Sequence, residues 1–305
     1  MVNNEKIAEW KADFTRFCKS QNKANSTIET YWGAITCFIW HFNTMSIDRL
    51  GWKQIADYIL KYDNSKTIAQ KRYAIQLFYF VCFKQKDKMK DMPTPKIESE
   101  IPQVLNIQEC YDIFSCIDNL KHKVIIKLSY DCGLRMSELL GIRIMHIDGK
   151  DLTLFIHQSK GAKDRKVPIP EETITLLREY FKKYIGKNYK SDDFIFTGQS
   201  NEHEKYCAST VRAILKRASK KAKILKKIKF HTLRHSRATH FYNAGMQIKD
   251  IAEFLGHNNI KTTEIYIHTG IDDLQKKVVN FDKIIKQKLN LLFWMFLFSL
   301  PFLLF

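Results

Sequence analysis

The sequence predicts a mainly α-helical protein with one small antiparallel β-sheet, in which a helical domain precedes a mixed α/β domain. Three observations carry this. Apolar residues recur every three to four positions up to about residue 88 and again beyond Glu171. Between Ile142 and Ile169 they alternate instead. Between Asp87 and Gln103 both patterns stop, and Pro93, Pro95 and Pro102 remove amide donors and restrict their neighbours, as an interdomain linker would. A length of 305 residues suits roughly two domains of about 150 each. The divisions read from the chain are a helical domain at 1–88, a linker at 89–103, a second domain at 104–289 and an apolar tail at 290–305.

In chain order, Ser26 and Glu29 stand in S-x-x-E spacing, which predicts a helix starting at Ser26 with hydroxyl and carboxylate satisfying its free amides. Ile28, Tyr31, Trp32, Ile35, Phe38, Ile39 and Phe42 then fall on one stripe, which should be core. Ile55, Tyr58 and Ile59 repeat the spacing, as do Ile68, Arg72, Ile75, Tyr79 and Cys82, with Lys66, Lys71 and Arg72 giving a basic side. Past the linker, Asn106 and Glu109 form a second capping box for a helix through Ile113, Phe114 and Ile117, and the apolar run Val124 to Tyr130 leads to Gly133. Asp148-Gly149 is a turn dipeptide; Leu152, Leu154 and Ile156 alternate with Thr153, Phe155 and His157, and Val167 to Ile169 supplies another strand. Helical patterning returns after Glu171 and runs to about residue 289, broken around Gly186 to Gln199 and at Gly245 and Gly256.

A hydrophobic content of 45% is enough for buried cores and excludes a mainly disordered chain. Fifty Lys and Arg against thirty-two Asp and Glu leave a net charge of +18, an excess that points to a polyanionic partner, nucleic acid before acidic lipid. Seven scattered cysteines without a Cys-x-x-Cys pair argue against a disulfide framework or a zinc ribbon and for a reducing cytoplasm. The start MVNNEKIAEW lacks the basic-then-apolar layout of a secretory signal, so export is not expected. Leu291 to Phe305 is apolar except for Ser299 and Pro301. As a helix it would cover roughly 22 Å of a ~30 Å hydrocarbon core, so a membrane span is not expected. A tail anchor, an extra docking segment and a frame-shifted or read-through end all stay open for it.

Three clusters can do chemistry, and each alone has an ordinary explanation. In GLRMSE, residues 133–138, Arg135 and Glu138 are three apart at a helix start, the spacing of a common helical ion pair. In HTLRH, residues 231–235, His231 and Arg234 share a face that could be a solvated basic surface. In LGHNNIKTTEIYIH, residues 255–268, Tyr266 follows His257 by nine positions and sits between Ile265 and Ile267, as a core tyrosine would. Jointly, two arginines, two histidines and a tyrosine are what metal-free phosphodiester transesterification requires: guanidinium forks for the non-bridging oxygens and a phenolic nucleophile. His231 and His235 are at i, i+4, but no HExxH or carboxylate cluster accompanies them, so no metal is expected.

In order, spacing and local context, GLRMSE, QSKGAKDRKVPIP, HTLRHSRATHFYNAG and LGHNNIKTTEIYIHT resemble the tyrosine recombinases, the phage-integrase and Xer family, over about residues 5–288. The resemblance implies a helical core-binding domain and a mainly helical catalytic domain that together clamp duplex DNA. It makes Tyr266 the nucleophile, which leaves a 3′-phosphotyrosyl bond and a free 5′-hydroxyl. Arg135 and Arg234 become the phosphate clamps, and Lys160, in the turn after the Leu152 to His157 strand, the donor of a proton to the departing oxygen. His231 would assist proton transfer, His257 would hydrogen-bond the transition state, and Glu138 would steady Arg135. No cofactor, metal or small-molecule substrate is implied. The partner is double-stranded DNA with inverted-repeat core sites, bound as a homotetramer or with a paralogous recombinase. The apolar stripe Leu274, Val278, Phe281 and Ile285 resembles a terminal helix that docks into a neighbouring subunit.

The function expected is site-specific recombination, for integration and excision of a mobile element or for Xer-like dimer resolution. Two alternatives use the same fold: a non-catalytic, architectural DNA-binding protein, and a topoisomerase-like nicking and closing enzyme.

Overall fold

The computed structural model describes residues 2–93, 102–157, 164–185, 189–198, 205–257 and 259–264. Its chain divides into two units, Met1–Glu100 and Ile101–Phe305. The described residues of the first unit are helical: α1 (Asn4–Ser20), α2 (Asn25–His41), α3 (Trp52–Ile59) and α4 (Ser65–Phe83), with one 3₁₀ turn at Ile47–Arg49. Helix α1 buries Trp10, Phe14 and Cys18, which are spaced by four and so lie along one side. Against them pack Ile28, Trp32, Ile35, Phe38 and Ile39 of α2 and Ile75, Phe78 and Tyr79 of α4. The Trp10 ring meets Phe78 edge-on at 5.5 Å, a favoured aromatic geometry. The buried hydroxyl of Tyr79 donates to the Ile47 carbonyl, which fixes the 3₁₀ turn to the bundle.

Three expectations fail in this unit. Helix α2 begins one residue before Ser26, with Ala24 as its N-cap and no side-chain cap bond. The Ile28 amide bonds to the Ala24 carbonyl at 3.0 Å, so Ser26 is already inside the first turn, where its hydroxyl cannot act as the cap. The linker also starts later than Asp87. Met89 and Met92 are buried in the first core, and Arg72 donates to both of their carbonyls, at 3.3 and 3.0 Å. Flexible thioether side chains fill the bundle end, while the guanidinium satisfies the backbone there, so Arg72 is not part of an open basic side.

The second unit opens with α5 (Ile107–Ser115), whose capping box is the one expected: Asn106 accepts from the Glu109 amide and Glu109 from the Asn106 amide, both at 2.7 Å. Helix α6 (Leu120–Asp131) is buried from Val124 to Asp131 and packs against four helices: α5, α8 (Glu171–Tyr180), α9 (Ala208–Lys221) and α10 (Phe230–Asn243). Between α7 (Met136–Leu140) and α8 lies an antiparallel sheet in the order β1 (Ile147–Asp148), β2 (Thr153–Ile156), β3 (Arg165–Pro168). In it Leu154 pairs with Val167, both buried, and Ile156 pairs with Arg165. The break expected at Gly186 to Gln199 holds an isolated bridge between Arg143 and Phe194, and a further non-helical stretch at 222–229 precedes α10. Helix α11 (Ile248–Leu255) rests on α10 and β3, and the short α12 (Lys261–Glu264) follows it.

All seven cysteines are free; Cys37 on α2 and Cys207, the N-cap of α9, are exposed. No described helix is long and apolar enough to cross a membrane. Lys160, Tyr266, the stripe from Leu274 to Ile285 and the tail from Leu291 lie outside the described residues.

Candidate active site

The site is assembled where three helix ends meet. Helix α6 stops at Asp131, and the chain reverses through Gly133 at φ +58°. A Cβ there would lie 2.8 Å from Leu255 Cδ2, so both the backbone angle and the close approach of α11 require glycine. Two residues on, Arg135 is the N-cap of α7, and Glu138 sits one turn inside it. The Glu138 carboxylate accepts from the Arg135 amide at 2.8 Å and from its guanidinium Nη1 at 2.7 Å.

Arg234 reaches the same carboxylate from α10, with Nη1 at 3.8 Å from Glu138 Oε2. Its strong bonds go to two helix ends: Nη1 donates to the Gly133 carbonyl and Nη2 to the Leu255 carbonyl, each at 2.6 Å. These are C-terminal carbonyls that the helices cannot satisfy themselves. A solvated basic surface is therefore wrong for Arg234, whose side chain is 3% exposed. Arg135 differs: its side chain is 32% exposed, and Nη2 makes one long contact of 3.4 Å to the Gly256 carbonyl. One guanidinium is thus locked inside while the other presents its edge outward.

The sequence reading missed Arg165. From the first position of β3 it grips Glu138 with both arms, Nη1 to Oε1 at 3.1 Å and Nη2 to Oε2 at 3.0 Å, while Nε donates to the Phe254 carbonyl at 2.8 Å. Its signal was strand alternation, which puts Arg165 on the buried side with Val167. Three guanidiniums and one carboxylate leave the cluster with surplus positive charge.

That charge sets the protonation of its neighbours. Burial pushes the Glu138 carboxyl up, but the bonds and charge of Arg165, then the backbone and side-chain hydrogen bonds from Arg135, overcome it and hold the pKa at about 2. Burial first, then Arg234 and Arg135, brings His257 down to about 4; burial, His231 and Arg234 do the same for His235. His231 has more open surface; its pKa is lowered too, by the protein around the ring and then by Arg234 and Arg135. His257 Nδ1 lies 2.9 Å from Thr263 Oγ1, and Thr263 is fully buried. Near neutral pH the site therefore offers fixed positive charge beside uncharged imidazoles.

Because the Glu138 pKa falls on folding from 4.5 to about 2, its contribution to stability is full above the unfolded value and is lost as pH drops through the folded one. The stability gap between the parent and Glu138→Gln should narrow by about 3 kcal/mol from pH 5 to pH 2. Urea midpoints at the two pH values measure it, and a constant gap would contradict the ion cluster.

Five of the seven residues expected from the sequence fall within the described part, and the fold brings these five together: Arg135, Glu138, His231, Arg234 and His257. A family model described as "Phage integrase family" matches residues 99–271, more than half of the chain and all of this cluster. The chain belongs to the phage integrase family. A second model of this family, its N-terminal SAM-like domain, matches residues 10–87. Among relatives of this integrase-family chain, a tyrosine recombinase of Thermosipho africanus is 38% identical over 60% of this chain and 62% of its own length. Tyrosine recombinase XerA of Pyrococcus horikoshii is 34% identical over 63% of this chain and 65% of its own. The chain thus matches just under two thirds of the length of these two relatives. Among solved structures, XerH site-specific recombinase bound to palindromic difH substrate shares the fold, with a TM-score of 0.69 at 21% identity over 89% of this chain and 85% of that one.

Proposed function

We propose that this integrase-family protein is a site-specific DNA recombinase that cuts and rejoins strands through a 3′-phosphotyrosyl intermediate. The observation that carries the reading is the Glu138 cluster, which fixes one guanidinium within the fold and leaves another facing outward beside two uncharged histidines. Such preorganised donors are worth most where negative charge builds up, on the non-bridging oxygens of a pentacoordinate phosphate.

In this reading the Tyr266 oxygen bonds to phosphorus as the bond from phosphorus to the 5′-oxygen breaks. The phenolic proton passes to His231, and Lys160 protonates the departing 5′-oxygen. Arg135 and Arg234 neutralise the transferred phosphoryl group, His257 donates to it, and Glu138 steadies Arg135. One phosphoester replaces another, so no energy-rich cosubstrate is consumed. The protein's relatives and its +18 charge support duplex DNA as the partner, with the 1–88 domain binding core sites and the 104–289 domain acting on them. Inverted-repeat sites and a tetramer on DNA complete the proposal, set in the reducing cytoplasm that seven free cysteines suit.

The test uses a duplex enriched on the full chain from a random pool and nicked near its centre. Incubation in EDTA should trap a protein–DNA adduct that survives detergent and vanishes with protease. Tight binding with no adduct would favour the architectural alternative.

Lys160→Ala should slow cleavage of this duplex by about 10²- to 10⁴-fold with little change in affinity. Sulfur in place of the bridging 5′-oxygen leaves without a proton and should restore most of the rate. Unrestored cleavage would reassign Lys160 to phosphate binding.

A further inference from the structure

We infer that Arg165 is a positioning residue of the reaction: it holds Glu138, and through Glu138 the outward guanidinium of Arg135, without touching DNA itself. The inference rests on the recombinase reading above and adds a residue to it.

The geometry separates Arg165 from Arg135, whose guanidinium presents an edge outward. The Arg165 Nε–H and both arms are spent, on the Phe254 carbonyl and on the two oxygens of Glu138, and its side chain is 6% exposed. What it controls is the carboxylate. Glu138 has two oxygens to share among Arg135, Arg165 and Arg234; Arg135 reaches both only by adding its amide to one guanidinium arm, and Arg165 is the one that takes both with its guanidinium fork. With the fork in place, Glu138 is fixed in plane and only Oε1 serves the Arg135 guanidinium. Without it, the short bonds to Glu138 come from Arg135 alone, through its amide and one guanidinium arm, and that guanidinium can close onto the carboxylate, drawing the outward edge inward and cancelling its charge. Arg165 thereby keeps one negative charge from quenching the group meant for phosphate.

Its anchorage fits this task. Arg165 pairs with Ile156 at the loop end of the β2–β3 ladder, and its Nε bond ties β3 to the last turn of α11, whose end supplies the Leu255 carbonyl to Arg234. A single side chain therefore sets three elements of the site against one another. Lysine has the charge but not the planar fork, so it cannot replace the geometry.

The experiment compares two substrates in the full-length protein: the nicked duplex described above, and the same duplex with a methylphosphonate at the scissile position. The second has no anionic non-bridging oxygen and needs the clamp far less. Arg165→Lys should cleave the phosphodiester about 100-fold more slowly than the parent. Its methylphosphonate rate should stay within about threefold of the parent, because the clamp contributes little there. Duplex affinity and far-UV circular dichroism should be unchanged. If Arg165→Lys does not fold, Arg165→Gln and a comparison of the two rates within the folded fraction serve instead. Equal losses on both substrates, or no loss on either, overturn the inference while leaving the recombinase reading intact. Failure of the parent to cleave either substrate removes the recombinase reading, and the inference with it.

Discussion

Replacing Tyr266 by phenylalanine should abolish the detergent-stable protein–DNA adduct while leaving duplex affinity within about twofold of the parent. The substitution removes one oxygen, the only atom of that side chain able to bond to phosphorus, and nothing that clamps phosphate. Loss of a covalent nucleophile costs roughly 10⁴-fold or more, which places residual cleavage below detection. Several buried tyrosines cannot take its place as they stand. Tyr79 and Tyr180 donate their hydroxyls to the Ile47 and Ile195 carbonyls, and Tyr130 shares its hydroxyl with His240. Burial also raises the pKa of each phenol, against the ionisation that attack requires. A protease-sensitive adduct persisting in Tyr266→Phe would show that another residue is the nucleophile.

Arg234→Met should lose both activity and much stability, whereas Arg135→Met should lose activity with a small cost in stability. The Arg234 side chain bonds two carbonyls that lie 101 and 21 residues away in sequence, and it is enclosed. Methionine would leave both carbonyls without their charged donor and Glu138 with one cation fewer, at a cost of about 3–5 kcal/mol. The outward Arg135 has no such pair of closely held carbonyls, only its long contact to Gly256 and its bond to Glu138. Its removal should cost about 1 kcal/mol or less in stability. Strand cleavage should fall about 10³-fold in each variant. Urea unfolding separates them: a midpoint for Arg234→Met equal to that of the parent would mean that the buried bonds carry no stability.

Local chemistry was legible in the sequence where partners are close along the chain. The Asn106–Glu109 box formed because each side chain reaches the other's amide within one turn, and the Arg135–Glu138 pair formed for the same reason. Ser26 and Glu29 have an equivalent spacing and make no cap, because the helix starts earlier by a residue and the spacing cannot say where the first turn begins. Long-range partners were not legible. Arg165 reads as one of several hairpin charges until β3 brings it against Glu138, 27 residues back. Arg234 reads equally well as solvent-facing until Gly133 and the end of α11 close over it. Met89 and Met92 look like linker because two methionines among charges show no periodicity, and only the assembled first core gives them a place.

The two exposed cysteines offer a ready ruler. Cys37 belongs to the first unit and Cys207 to the second, and the other five thiols are buried or half-buried. Cys207 caps a helix, and the hydroxyl and amide of Ser209, then the Thr210 amide, hold its thiol pKa below the ordinary value. A limiting amount of maleimide dye added at mildly acidic pH should therefore find Cys207 first, and an excess of a second dye should then take the other exposed thiol, Cys37. Energy transfer between the two would follow the separation of the units in real time as DNA is added, without any cysteine having to be introduced.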